Sequence, residues 1–302
     1  MKAKIRGTEI YFDVTGVQIV SKEQRLTEKP VLFLIHGGPG GNHLHFKTDS
    51  IELQNDAQLV FIDQRGCGFS KTDKKSNYTL ENNIEDIEAL RKYLGLNKIC
   101  VLGVSYGGMV AQGYAIRYGK HIDKLVLVAT APSFHFIAAA RENLKKIGTK
   151  QQIAACEKYL WNGKIKDIRN VNHFFKLMDP LYSYTYDAKK GKSRHFAAKH
   201  HKATTLKSTF SQEALDAGFG GFLHTFNFIP QLKKIKCPTL VLAGKHDWIC
   251  LPEQSKLIAD KIPHATLKIF NRCGHSIAKD VNTQYIKEIK RFLLQKTIFR
   301  DK

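Results

Sequence analysis

The chain has 302 residues, 43% of them hydrophobic and 25% charged, which is long and apolar enough to bury a sizeable core and excludes wholesale disorder. Lys and Arg outnumber Asp and Glu by 48 to 27, for a formal net charge of +21, and such a field attracts polyanions. The basic residues are nevertheless spread along the chain with no nucleic-acid-binding motif, and no apolar run approaches the ~18 residues of a membrane span, so neither a specific nucleic-acid partner nor a membrane span is expected.

Lys2–Val14 alternates as a strand with no apolar signal-peptide region and is predicted to pair with Gly16–Val20 through a Thr15-Gly16 turn. Pro30–Ile35 is a continuous apolar run, as expected of a strand buried on both faces, and it ends in the loop His36-Gly37-Gly38-Pro39-Gly40-Gly41. That loop is either a plain connection or a place where free backbone N–H groups meet a ligand. His43 and His45 follow it and, lacking a third ligand, are expected at the rim of a site rather than on a metal. A second buried strand, Leu59–Ile62, leads into Asp63-Gln64-Arg65-Gly66-Cys67-Gly68-Phe69-Ser70, where an Asp63–Arg65 ion pair is expected to fix the loop. Leu80–Leu94 carries apolar residues at helical spacing and stops at Gly95.

Lys98–Gly119 is the most informative stretch. A short apolar strand turns through Gly103-Val104-Ser105-Tyr106-Gly107-Gly108 into a helix, which puts Gly-x-Ser-x-Gly in the strand–turn–helix context of a nucleophile elbow. A turn this tight leaves no room for a Cβ two residues before or after the Ser. Leu125–Ala129 is another buried strand, after which helical and aromatic patterns replace the strand–helix alternation. Residues 133–230 hold sixteen Lys/Arg against seven Asp/Glu, with the densest basic run at Lys189–Lys202, which is expected to be solvated. Core strands resume at Cys237–Ala243 and Ala265–Phe270, flanked by helices at Pro252–Lys261 and about Val281–Phe299. The expected architecture is α/β: a mostly parallel sheet with helices on both faces, formed by residues 1–132 and 231–302, with a helical cap inserted at 133–230. The six cysteines show no metal-ligand spacing and suit reduced thiols in a cytoplasm.

Ser105, Asp247 and His275 each follow the end of a predicted core strand, in the triad order of α/β-hydrolases. His275 would take the Ser105 proton and return it to the leaving group, Asp247 would hold the imidazole, and the Gly38 and Tyr106 amides would bind the oxyanion. His246 is a rival base, although its place beside Asp247 suits a loop residue better.

The motifs HGGPGG, DQRGCGFS, GVSYGG and GKHD…CGH resemble the proline iminopeptidase (prolyl aminopeptidase) family of α/β-hydrolases across the core, with the insertion only loosely comparable. The resemblance implies Ser105 as nucleophile, Asp247 and His275 as its partners, a cap over the site, no metal or other cofactor, and release of N-terminal residues from short peptides. Members bind the substrate amine with acids of the cap and, in one branch, a Glu after the triad Asp; here Trp248 stands at that position. Glu213 and Asp216 are then the foremost amine ligands, with Glu142, Glu157 and Asp179 behind them, while Trp248 and the cap aromatics could equally line a pocket for an uncharged ester. A carboxylesterase, a C–C bond hydrolase on the same triad, and a non-catalytic polyanion-binding protein are the competing expectations.

Overall fold

Alternate residues of the central strands belong to opposite hydrophobic layers, and this alternation builds the molecule. In β3 (Val31–Ile35), Val31, Phe33 and Ile35 pack into one layer while Leu32 and Leu34 pack into the other. The same division runs through β4 (Gln58–Ile62), β5 (Ile99–Val104), β6 (Ile122–Val128) and β7 (Thr239–Gly244). A strand covered on both faces must be apolar on both, which is why these segments read as unbroken hydrophobic runs. The computed structural model describes residues 1–22, 25–189, 192–193 and 210–295.

Eight strands form one sheet in the order β1-β2-β4-β3-β5-β6-β7-β8, where β1 is Lys2–Ile5, β2 is Thr8–Thr15 and β8 is Ala265–Phe270. β1–β2 and β2–β4 pair antiparallel; every other pair is parallel. The layer containing Phe33 is covered by α2 (Leu80–Tyr93), α3 (Tyr106–Tyr118) and α8 (Pro252–Lys261). The layer containing Leu34 is covered by α9 (Ile277–Asp280) and α10 (Asn282–Leu294), with Phe46 of α1 (His43–Ser50) packed against it. Between β6 and β7 the chain forms α4 (His135–Ile147), α5 (Lys150–Ala155), α6 (Ile168–Tyr182) and α7 (Gln212–Phe219). No helix among the described residues is long and apolar enough to cross a membrane. The basic run Lys189–Lys202 falls almost wholly outside the described residues.

Two sequence expectations are corrected here. The first hairpin turns at Arg6-Gly7, both at positive φ (48° and 73°), so Lys2–Val14 is two strands rather than one. Residues 19–22 pair with 25–28 and not with β2, because β2 is taken by β4. The second correction concerns Asp63 and Arg65, which do not bond to each other. Asp63 accepts from the His43 amide (2.8 Å), His43 Nδ1 (2.9 Å) and the Phe69 amide (2.8 Å). Arg65 instead grips Asp86 with two bonds of 2.9 and 2.6 Å and Asp73 with one of 2.6 Å.

Removing Arg65 would strand the buried Asp86 carboxylate. Arg65→Ala is therefore expected to lower unfolding free energy by about 3 kcal/mol in urea denaturation. That is the low end for a broken buried pair, because Arg6 still reaches Asp86 at 3.3 Å. Arg65→Met combined with Asp86→Leu should recover most of the loss.

Candidate active site

Ser105 stands between β5 and α3 at φ 55°, ψ −120°, a conformation costly for an L-residue and held only when its surroundings over-determine it. Those surroundings are visible. The Ser105 amide donates to Val128 O (2.8 Å), and Ser105 O accepts from Thr130 Oγ1 (2.7 Å) and the Gly108 amide (2.9 Å). A Cβ on Gly103 would sit 2.2 Å from Gly107 O, and one on Gly107 would sit 2.2 Å from Ile35 O. The first amides of α3 have no acceptor inside their own helix, so the Tyr106 N–H is available beside the hydroxyl.

The glycine loop runs past this turn. A Cβ on Gly37 would approach Ser105 Cβ to 3.1 Å, and Gly38 lies at φ 129°. Among the described residues the Gly38 amide makes no hydrogen bond. The loop is pinned on both sides. His36 Nδ1 donates to Gly37 O (2.8 Å), and its Nε2 accepts from the Gln64 amide (3.1 Å). Burial holds this imidazole below its ordinary pKa, which keeps it neutral. From the other side, Gly40 O accepts from the Ser211 amide (2.7 Å), the residue that caps α7.

Asp247 is buried, and both of its oxygens are engaged. Oδ1 accepts from the Ile249 and Cys250 amides at 3.0 Å each, and Oδ2 lies 2.8 Å from His275 Nδ1. A carboxylate only accepts, so Nδ1 carries the proton and Nε2 is left as the basic nitrogen. Tyr182 stands edge-on to the His275 ring at 5.5 Å. Asp280 accepts from the Gly274 amide (2.8 Å) and the Tyr184 amide (2.9 Å), tying the loop before His275 to the end of α6. Cys250 is near Ser105, but burial and then the Asp247 charge push its thiol well above the usual range, so it is no competing nucleophile.

Ser105 and His275 open onto one cavity of about 310 Å³. Gly38 also lines it; Tyr106 and Asp247 stand behind the lining. The proposed amine ligands lie elsewhere. Asp216 is buried and spent on the Ile165 amide (2.9 Å), the Lys166 amide (3.0 Å) and Gln212. Glu213 is exposed over a separate groove with Gly66 and Asp73. Glu142 and Glu157 pair with Lys145 and Arg141. Trp248 is fully buried behind the cavity, with Tyr182 edge-on at 5.5 Å and Trp161 at 6.3 Å. His43 is buried against Asp63 rather than at the rim, and His246 is exposed beside Tyr184. The carboxylate that does line the cavity is Asp49, which sequence reasoning missed. Its signal was there: Asn42, the N-cap of α1, and Phe46 and Asp49 within it are spaced i, i+4, i+7.

A family model described as alpha/beta hydrolase fold matches residues 30–280. Proline iminopeptidase PfmaB of Pestalotiopsis fici is 31% identical over 291 residues, covering 94% of this chain and 98% of the relative. The chain belongs to the proline iminopeptidase family of α/β-hydrolases. Among solved structures, proline iminopeptidase from Mycobacterium smegmatis superposes with a TM-score of 0.70 at 20% identity, covering 97% of each chain. An esterase from Exiguobacterium antarcticum superposes with a TM-score of 0.67 at 19% identity, covering 96% of this chain and 97% of its own. Both likenesses speak for the fold alone; substrate preference has to be read from the site.

Proposed function

We propose that this protein is a serine aminopeptidase of proline iminopeptidase type, which releases N-terminal residues from short peptides through an acyl-enzyme. The observation that carries this reading is the 2.8 Å His275–Asp247 bond beside a cavity into which Ser105 is presented at positive φ. In this mechanism His275 Nε2 takes the hydroxyl proton as Ser105 Oγ attacks the scissile carbonyl. The Gly38 and Tyr106 amides receive the developing oxyanion, and His275 returns the proton to the departing amine. Water, activated by the same imidazole, then hydrolyses the acyl-enzyme. Asp247 holds the tautomer and balances the imidazolium.

Residues 133–230 act as a helical cap on a core formed by 1–132 and 231–302. The basic cap and core draw the peptide's carboxylate end, and the modest cavity suits a single residue at the acyl position. The six unpaired, buried thiols fit a reducing cytoplasm.

One observation favours a carboxylesterase as the second reading. The cap side of the cavity is aliphatic and aromatic (Leu160, Phe175, Phe210, Leu215, Phe219) and, among the described residues, brings no carboxylate to it. L-Proline p-nitroanilide and p-nitrophenyl butyrate separate the two. Turnover of the anilide is expected; ester turnover with none of the anilide would refute the peptidase reading.

A further inference from the structure

The cavity beside Ser105 has two unlike sides. The cap supplies an apolar wall, whereas the core supplies Asn42 from the N-cap of α1, Phe46 and Asp49 from that helix, Lys279 from α9 and Tyr285 from α10. Among the described residues that line it, Asp49 is the one Asp or Glu. Its side chain is half-buried, and its carboxylate has no hydrogen-bond donor or ion-pair partner among the described residues. Tyr285 lines the cavity beside it and is near enough to feel the Asp49 charge, with the buried Ser50 hydroxyl behind as the side-chain partner of the Tyr285 hydroxyl. An acceptor-only group left without a donor on a cavity wall is the complement of a donor-rich cation.

We infer that Asp49 is the residue that receives the protonated amine of the substrate, with Tyr285 beside it in the same lining. This rests on the aminopeptidase reading above and supplies the acid that the described residues of the cap do not bring to the cavity. The electrostatics support it. Burial lifts the Asp49 carboxyl to about 6, with Lys279 alone working in the opposite direction. Lys279 of α9 and the Tyr285 hydroxyl of α10 are the titratable groups that face it. At neutral pH the group is therefore an anion held where water solvates it poorly, and a bound ammonium relieves that penalty.

The sign for stability follows. A carboxyl whose folded pKa is raised favours the folded state below its unfolded pKa and costs stability above its folded one. Asp49→Asn is thus expected to leave Tm at pH 7.5 unchanged or raised, the mark of a residue kept for binding rather than for folding.

Calorimetric titration in a Ser105→Ala background, which prevents turnover, tests the inference with two probes of one skeleton: L-prolinamide, a cation, and N-acetyl-L-prolinamide, which is neutral. At pH 7.5 the cation is expected to bind at least about tenfold more tightly, as a charge-assisted hydrogen bond warrants. That preference should vanish when Asp49→Asn is added, while the neutral probe binds as before. It should also weaken at pH 5, where the carboxyl takes up a proton. Equal binding of both probes, a preference that survives Asp49→Asn, or a lowered Tm with loss of both probes would each overturn the inference. None of these outcomes depends on peptide turnover, so failure of the aminopeptidase reading would register separately, in the p-nitroanilide assay.

Discussion

Ser105→Ala is expected to lower kcat by at least about 10⁴-fold on every ester or amide that the wild-type protein hydrolyses. Removing the nucleophile leaves only the stabilisation that the oxyanion donors and binding pocket provide. In the proposed mechanism those donors are the backbone amides of Gly38 and Tyr106, which the substitution does not touch, so KM should change far less than kcat. The fold should be indifferent. The bonds that hold residue 105 in place run through its backbone, to Val128 and from Thr130 and Gly108, and alanine keeps all three. Alanine also carries the same positive-φ cost as serine, because the strain belongs to any Cβ. Steady-state kinetics and thermal melts of the pair check both parts. A loss of only tenfold would mean another group performs the attack, and the held-protonated thiol of Cys250 is not equipped to do so.

The layout of the core was legible because its determinants are local. Val31–Ile35 is an apolar run of strand length, and Gly103 and Gly107 flank a Ser at the only spacing a strand-to-helix elbow allows. Asp247 and His275 could be placed because a parallel sheet gathers its loops at the carboxyl ends of its strands, whatever the distance between them in sequence. What sequence could not supply is partner choice at long range. Arg65 has an Asp two residues away yet bonds Asp86 and Asp73, because β4 ends with its loop turned toward α2. Asp216 and Glu213 are three residues apart on α7, but one turns inward to cap a backbone loop and the other faces solvent. A helical period fixes which residues share a face, not what that face meets. For the same reason Asp49 was overlooked: its spacing with Phe46 and Asn42 is plain in the sequence, but the proximity of that face to Ser105 is made by the turn of the glycine loop.

Gly107→Ala tests how closely that elbow is built. The new methyl would lie 2.2 Å from Ile35 O and 2.6 Å from His36 O. Both obstacles are backbone, at the end of β3 where the glycine loop begins, so no side-chain rotation relieves them. Either α3 must back away from the sheet, or Ile35-His36-Gly37 must move and carry the Gly38 amide with it. Overpacking of this kind costs upwards of about 3 kcal/mol. A shift of about 1 Å in a preorganised donor costs on the order of 10²-fold in rate. Gly107→Ala should therefore lose at least that much stability in urea denaturation, and the protein that does fold should retain about 1% or less of wild-type kcat. Gly119→Ala is the matched control at the far end of the same helix: its Cβ meets nothing within 4 Å and its φ is −54°. There the methyl only restricts the unfolded chain, and stability should hold or rise by up to about 1 kcal/mol with full activity. If Gly107→Ala behaved like Gly119→Ala, the elbow would have slack, and the rigid hold on Ser105 that the mechanism depends on would have to come from elsewhere.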